Sequence, residues 1–357
     1  MIDSRMAQLA DIIVNYSISV NKGDIIKVNF GVDAKDLALE IYRKLIEKGA
    51  LPRAEAILPG FSYAFFRHSS DEQLKTFPRI AMYEARIVAG SISIGAEYNT
   101  KEFSNVDPKK VALRSKVVNP ISKVILEKDN WVGCEYPTHS LAQDAEMSME
   151  ELEDFFFRAV LQDWKKESLK QDALKRILDK GRKVRILGDD TDLRFGITGR
   201  TANKADGKRN MPDGEVFIAP QEKSTEGYIS YTYPTIKNGV EVDVISLQFK
   251  AGKVVKASAK KNSKFLNTMV KMDRGAQYLG EFGIGTNYRI DRFIKQILFD
   301  EKIGGTVHLA LGMAYREGGG RNESALHWDM IKDLRRGGEL WVDGHLIQKN
   351  GKFTFRH

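Results

Sequence analysis

Cysteine is almost absent from this chain: Cys134 is the single thiol in 357 residues. One thiol excludes an intramolecular disulfide and any zinc site built from several thiolates. Long apolar runs are missing too, and none approaches the roughly 18 residues that a membrane helix needs. The N-terminal stretch MIDSRMAQLADIIVNYSISV carries Asp3, Arg5 and Asp11 where a secretory signal would need an unbroken apolar core. No GxGxxG follows the first strand-like segment and no GxxxxGK[ST] occurs, so a nucleotide-binding reading has no support. The formal charge of +8 suggests nucleic acid, but the basic residues are interleaved with Asp and Glu. The densest basic run, KVVKASAKKNSK (253–264), lacks the aromatic spacing of a single-strand platform. The expectation is a protein of the cytoplasm that binds neither nucleic acid nor membrane.

What is present is enough to fold. Hydrophobic residues make up 42% of the chain, with eighteen Phe, twelve Tyr and four Trp, and that excludes disorder. The length points to two domains. Residues 1–147 alternate strand-like segments (24–31, 52–60, 85–95, 131–137) with helical patterns such as DAKDLALEIYRKLIEKG (33–49), whose Gly49 suits a C-terminal cap. That alternation predicts an α/β domain with a mainly parallel sheet. Residues 148–181 are charged and amphipathic, a helical linker region. From 182 to 357 the texture turns β-branched, alternating and turn-separated, which predicts a strand-rich α+β domain.

Histidine is scarce, at six residues, yet two fall within HLALGMAYREGGGRNESALHWD (308–329), the most glycine-rich part of the chain. His327 and Asp329 are two apart and share one face of an extended strand. His308 and Tyr315 would point oppositely on one straight strand, so they converge only if the chain bends, and Gly312 is the place for it. Glu215 follows a Pro-Asp-Gly turn, and Glu281 has Gly280 and Gly283 close by. Each residue alone has a plainer reading: a turn carboxylate, a helix-end glutamate, a hydrogen-bonded core histidine. Together they are oxygen and imidazole donors without sulfur, a set that suits zinc, cobalt or manganese.

The segments PDGEVFIAP (212–220), LGEFGIG (279–285), HLALGMAY (308–315) and HWD (327–329) together resemble the thermophilic-aminopeptidase family of metallopeptidases, the group of aminopeptidases T and S. The resemblance is specific over most of 184–357 and continues more weakly into the N-terminal half. It implies a metal-dependent aminopeptidase acting on peptides with a free N-terminus, and a homodimer whose active sites face an enclosed interior. It implies two divalent ions per chain, held by Glu215, Glu281, His308, His327 and Asp329, with Glu281 bridging and Tyr315 as a ligand or close neighbour. Ions about 3.5–4 Å apart can polarise a peptide carbonyl and activate water. The family also has a glutamate shortly before its first histidine; the matching residue here, Glu301, stands seven residues before His308. Glu281, Tyr315 and Glu301 are the candidate catalytic residues, and the general base stays open between Glu301 and another carboxylate. Two other readings compete. One is a ring-cleaving iron(II) dioxygenase of the dihydroxypyridine type, using His308, His327 and Asp329; the other is a non-catalytic metal-binding protein.

Overall fold

The structure is a computed structural model that describes residues 3–355. The chain divides into two compact units: residues up to Leu161 together with Gly207–Pro212, and Gln162–Asp206 together with the residues from Asp213 onward. Residues 148–181 hold two helices. Met149–Val160 starts at a capping box of Ser148 and Glu151, and Trp164–Lys180 starts at Asp163, which accepts from the Lys166 N–H. One helix lies in each unit.

The first unit is built on a five-stranded parallel sheet. Its strands β1 (Ile25–Gly31), β2 (Leu51–Ile57), β3 (Gly90–Gly95) and β4 (Trp131–Glu135) run in the spatial order β2-β1-β3-β4, and the short strand Asn210–Met211 closes the far edge. The helix Lys35–Glu47 joins β1 to β2, burying Leu37, Ile41 and Leu45 on one stripe, and Gly49 takes a left-handed φ of 79° just past its end. The expected strand over 85–95 is shorter in the structure. Ala85–Ile87 are the last turn of a helix, Arg79–Ile87, and pairing begins at Gly90. Ala85, Arg86 and Ile87 continue the helix that follows Pro78, so composition alone misplaced the boundary. No helix among the described residues is long and apolar enough to cross a membrane.

The second unit is antiparallel. An eight-stranded sheet, from strands between Lys183 and Phe353, shares a core with a five-stranded sheet. The latter contains β5 (Glu215–Ile218), β6 (Leu279–Gly285), β7 (Thr306–Gly312) and β8 (His327–Asp333), in the order β8-β7-β6-β5, with Asn203–Ala205 at the edge beside β5. Side chains alternate between the faces of a strand. Val216, Ile218, Phe282, Ile284, Val307, Leu309, Trp328 and Met330 point into the core, where Phe282 meets Phe195 of the other sheet edge-to-face at 5.0 Å. Each such apolar side chain contributes about 1.5–3 kcal/mol by leaving water. A one-residue slip of any strand would turn its core residues outward, so burial fixes the register.

Candidate metal centre

With the core residues facing inward, the alternate positions share the opposite face of the same sheet: Glu215 on β5, Glu281 on β6, His308 on β7, and His327 and Asp329 on β8. The strand ladders align them. Glu281 is opposite Ala310, which is opposite Asp329; Gly283 is opposite His308; Gly285 is opposite Glu215; Gly312 is opposite His327. Small residues therefore stand between the polar ones and leave room for them to converge. Gly283 is the strictest case. A Cβ there would lie 2.0 Å from Cε1 and 2.1 Å from Nε2 of His308, so the imidazole occupies the space that a side chain would fill.

Ligand atoms on one tetrahedral ion at about 2.0–2.1 Å stand about 3.3 Å apart. His308 Nε2 is 3.2 Å from Glu215 Oε2 and 3.3 Å from Glu281 Oε1. His327 Nε2 is 3.5 Å from Asp329 Oδ2 and 3.8 Å from Glu281 Oε2. Glu215 Oε2, Glu281 Oε2 and Asp329 Oδ1 are buried with no hydrogen-bond partner. Buried carboxylate oxygens without donors are costly unless a cation serves them. Two groups fit one ion's reach: Glu215 with Glu301 and His308, and Glu281 with His308 and Asp329, each with its donor atoms within 4.8 Å of one another. These residues fit a divalent cation both in spacing and in unmet valence. The other imidazole nitrogen of His327, Nδ1, lies 2.9 Å from the Met313 carbonyl, which fixes the tautomer and leaves Nε2 for the site.

Glu301 follows the short helix Ile297–Asp300, and despite its seven-residue distance from His308 the structure brings it beside Glu215 and His308. Tyr315 lies past Gly312, where a φ of 101° turns the chain out of β7. Its ring packs against Phe217 at 5.9 Å and His327 at 5.3 Å. The sequence reading missed Lys302. This buried lysine donates 2.6 Å hydrogen bonds to Glu215 Oε1 and Glu301 Oε1, and stands 3.9 Å from Asp213 Oδ1. Nothing in LFDEKIGG marks it, since a lysine beside a glutamate ordinarily reads as a solvated pair. His345 follows the two-residue turn Asp343–Gly344 as an exposed hairpin residue, and His357 lies outside the described residues.

Burial and crossed charges shift the titrations. Burial pushes the Glu215 carboxyl up to about 8 against the pull of Lys302. Burial also raises Asp329, where Glu301 and Glu281 add to it against His327. Burial would lower His308, but Glu215, Glu281, Glu301 and Asp329 raise it to about 10. Glu301 goes the other way: burial works to raise it, yet Lys302 and His308 hold it below its ordinary value. Burial, then the carboxylates around it, pushes the Tyr315 phenol up, so it stays protonated.

A model of the family described as thermophilic metalloprotease (M29) matches residues 2–353. Aminopeptidase 2 of Geobacillus stearothermophilus is 26% identical over 409 aligned residues, covering 98% of this chain and 95% of that protein. Aminopeptidase AmpS of Bacillus subtilis (strain 168) is 34% identical over 172 residues, 41% of this chain and 40% of that one. Among solved structures, wild-type AmpT from Thermus thermophilus matches with a TM-score of 0.86 at 22% identity over 99% of both chains. A 2,5-dihydroxypyridine dioxygenase from Pseudomonas putida KT2440 matches with a TM-score of 0.62 at 12% identity, covering 98% of this chain and 97% of that one. The two structural likenesses concern the fold, and one fold can host both chemistries.

Two measurements test the centre itself. Gly283→Ala must displace the His308 ring, so metal affinity by equilibrium dialysis should fall about 10–100-fold, as when a metal ligand loses its support. Unchanged affinity would mean that His308 is not a ligand. The second concerns pH. A raised pKa stabilises the protonated metal-free fold; that stabilisation is full below each group's ordinary pKa and is lost as pH rises through about 8 for Glu215 and about 10 for His308. Metal needs the deprotonated forms, so affinity should rise with pH, and loading near neutrality should release about two protons per chain. Calorimetry in buffers of different ionisation enthalpy reads this directly, and binding without proton release would contradict it.

Proposed function

The chain belongs to the thermophilic metalloprotease (M29) family and is a metal-dependent aminopeptidase, and we propose that it releases N-terminal residues from peptides at a centre of two divalent ions. Glu215 and His308 would hold one ion and His327 and Asp329 the other, with Glu281 placed between them and Glu301 beside the first. One observation carries this division: Glu281 Oε1 faces His308 at 3.3 Å, and Oε2 faces His327 at 3.8 Å. A carboxylate turned to two histidines with different oxygens is placed to span two ions. Zinc, cobalt or manganese suits the oxygen and nitrogen donors. Such ions supply Lewis acidity and make water nucleophilic near neutral pH.

The side chains supply the rest. Glu301 stays ionised beside Lys302, so its carboxylate is assigned to receive the proton of the attacking water. Tyr315, kept protonated, donates to the carbonyl oxygen of the scissile peptide as that carbon becomes tetrahedral. A free α-amine is recognised either at an open ligand position or by Glu301.

The reading includes a homodimer in the cytoplasm. On the first unit, β2 is an edge strand whose Leu51 and Ile57 are exposed, and Ile80, Tyr83 and Ile87 of the neighbouring helix are exposed as well. Arg53 of β2 reaches Glu84 of that helix at 3.2 Å, so these residues belong to one surface. An unpaired edge and an apolar patch of this kind favour a second copy. Light scattering should give a dimer for the native chain and a monomer for Ile57→Arg; two monomers would remove this part of the proposal.

The function is tested by elemental analysis of the purified protein, with hydrolysis of aminoacyl anilides after zinc, cobalt or manganese is added. The expected result is two metal equivalents per chain and metal-dependent release of the N-terminal residue. Glu281→Gln should lower kcat/KM by about a thousandfold, the loss of a bridging ligand's share of transition-state stabilisation. One equivalent of iron, no hydrolysis and oxygen consumption with dihydroxypyridines would move the chain to the ring-cleaving reading. Absence of bound metal under every condition would leave the non-catalytic one.

A further inference from the structure

Lys302 is unusual among the groups around the centre because it is a buried lysine ion-paired with two of its carboxylates. Its side chain is 1% exposed, and it takes Oε1 of both Glu215 and Glu301 at 2.6 Å. The second oxygen of Glu215 is left without a hydrogen-bond partner and lies 3.2 Å from His308 Nε2. No lysine or arginine ion-pairs with Glu281 or Asp329 among the described residues; their close ionic neighbours are histidines. Lys237, near Asp329, gives its ammonium to the His327 carbonyl instead. One half of the centre thus has a lysine ion-paired directly with its carboxylates, and the other does not.

We propose that Lys302 is a built-in counter-cation for the Glu215–Glu301 half of the centre, which keeps the metal-free protein folded and makes this half the weaker, exchangeable metal site. The inference rests on the two-ion reading above. Without metal, Lys302 offsets carboxylates that would otherwise be buried against one another, and removing one partner of such a cluster is strongly destabilising. It also orients them, since each glutamate gives one oxygen to the ammonium and keeps the other for the site. An incoming divalent ion must then enter beside a like charge that is ion-paired with its own ligands, whereas Lys237 near the Glu281–His327–Asp329 half pairs with none of those carboxylates. The first ion is expected at that second half, and the last to arrive and first to leave beside Lys302.

Lys302→Met removes the charge and keeps much of the volume. By linkage, a ligand that binds only the folded state stabilises it in proportion to its affinity. Thermal melts of the full chain with and without Co²⁺, joined to calorimetric Co²⁺ titration, therefore separate the possibilities. The expected result is a lower melting temperature for the metal-free variant, a larger rise on adding Co²⁺ than in the native chain, and a weaker step tightened by roughly tenfold or more. A residue that merely packs would lower both melting temperatures alike and leave the Co²⁺ shift and the two affinities unchanged, and that result overturns the proposal. Should Lys302→Met be insoluble when made without metal, expression with Co²⁺ decides: recovery of folded protein supports the role, and continued insolubility of both this variant and Lys302→Gln overturns it. A native chain that binds fewer than two Co²⁺ ions would instead remove the two-ion reading, so the two failures are told apart.

Discussion

Buried negative charge is the constraint on which the second unit depends. Glu215, Glu281 and Asp329 lie on one face of one sheet with little or no exposure, Glu301 joins them from a neighbouring loop, and several of their oxygens have no hydrogen-bond donor. Carboxylates gathered out of water repel one another and lose their hydration, so the arrangement survives only with bound protons or positive charge among them. The chain supplies part of that charge through His308 and Lys302. Divalent cations supply the rest, which ties the folding energetics of this unit to its chemistry.

The sheet makes such a gathering possible because its two faces do different work. One is an ordinary apolar core, with Phe282, Leu309 and Trp328 packed against the larger sheet, and it sets the register. The other follows automatically: once Phe282 points inward, Glu281 and Gly283 must point the other way. Gly283 and Ala310 are as important there as the ligands, because a larger side chain at either place would stand where donors converge. The glycines in this region thus answer to close packing of functional groups as much as to turn geometry.

The fold alone does not select the reaction, because an aminopeptidase and a dioxygenase both match it in shape. The choice lies in the donor set. A site for one iron needs two histidines and a carboxylate; here Glu215, Glu281 and Glu301 add carboxylates beyond that number, and Glu281 faces both histidines. Lys302 then makes the two ends of the cluster unlike, because it ion-pairs with Glu215 and Glu301 and not with Glu281 or Asp329.

The sequence by itself determined the strand-helix alternation of the first unit and the β-rich texture of the second, and its resemblance to a known family singled out the residues proposed for the centre. These were legible because periodicity is local, and because glycine, histidine and acidic residues in HLALGMAY, HWD and LGEFGIG keep their order and spacing whatever the tertiary contacts. Boundaries were less legible: Ala85–Ile87 have strand-like residues but belong to a helix, since their amphipathic partners lie upstream. Only the tertiary structure decided that Glu301 reaches Glu215, that the His308 ring rests on Gly283, and that Lys302 is buried among carboxylates. Each depends on segments far apart in the chain meeting at ångström range, Lys302 and Glu215 being 87 residues apart. No local pattern encodes such a meeting; the packing of the sheet and the 286–305 loop creates it.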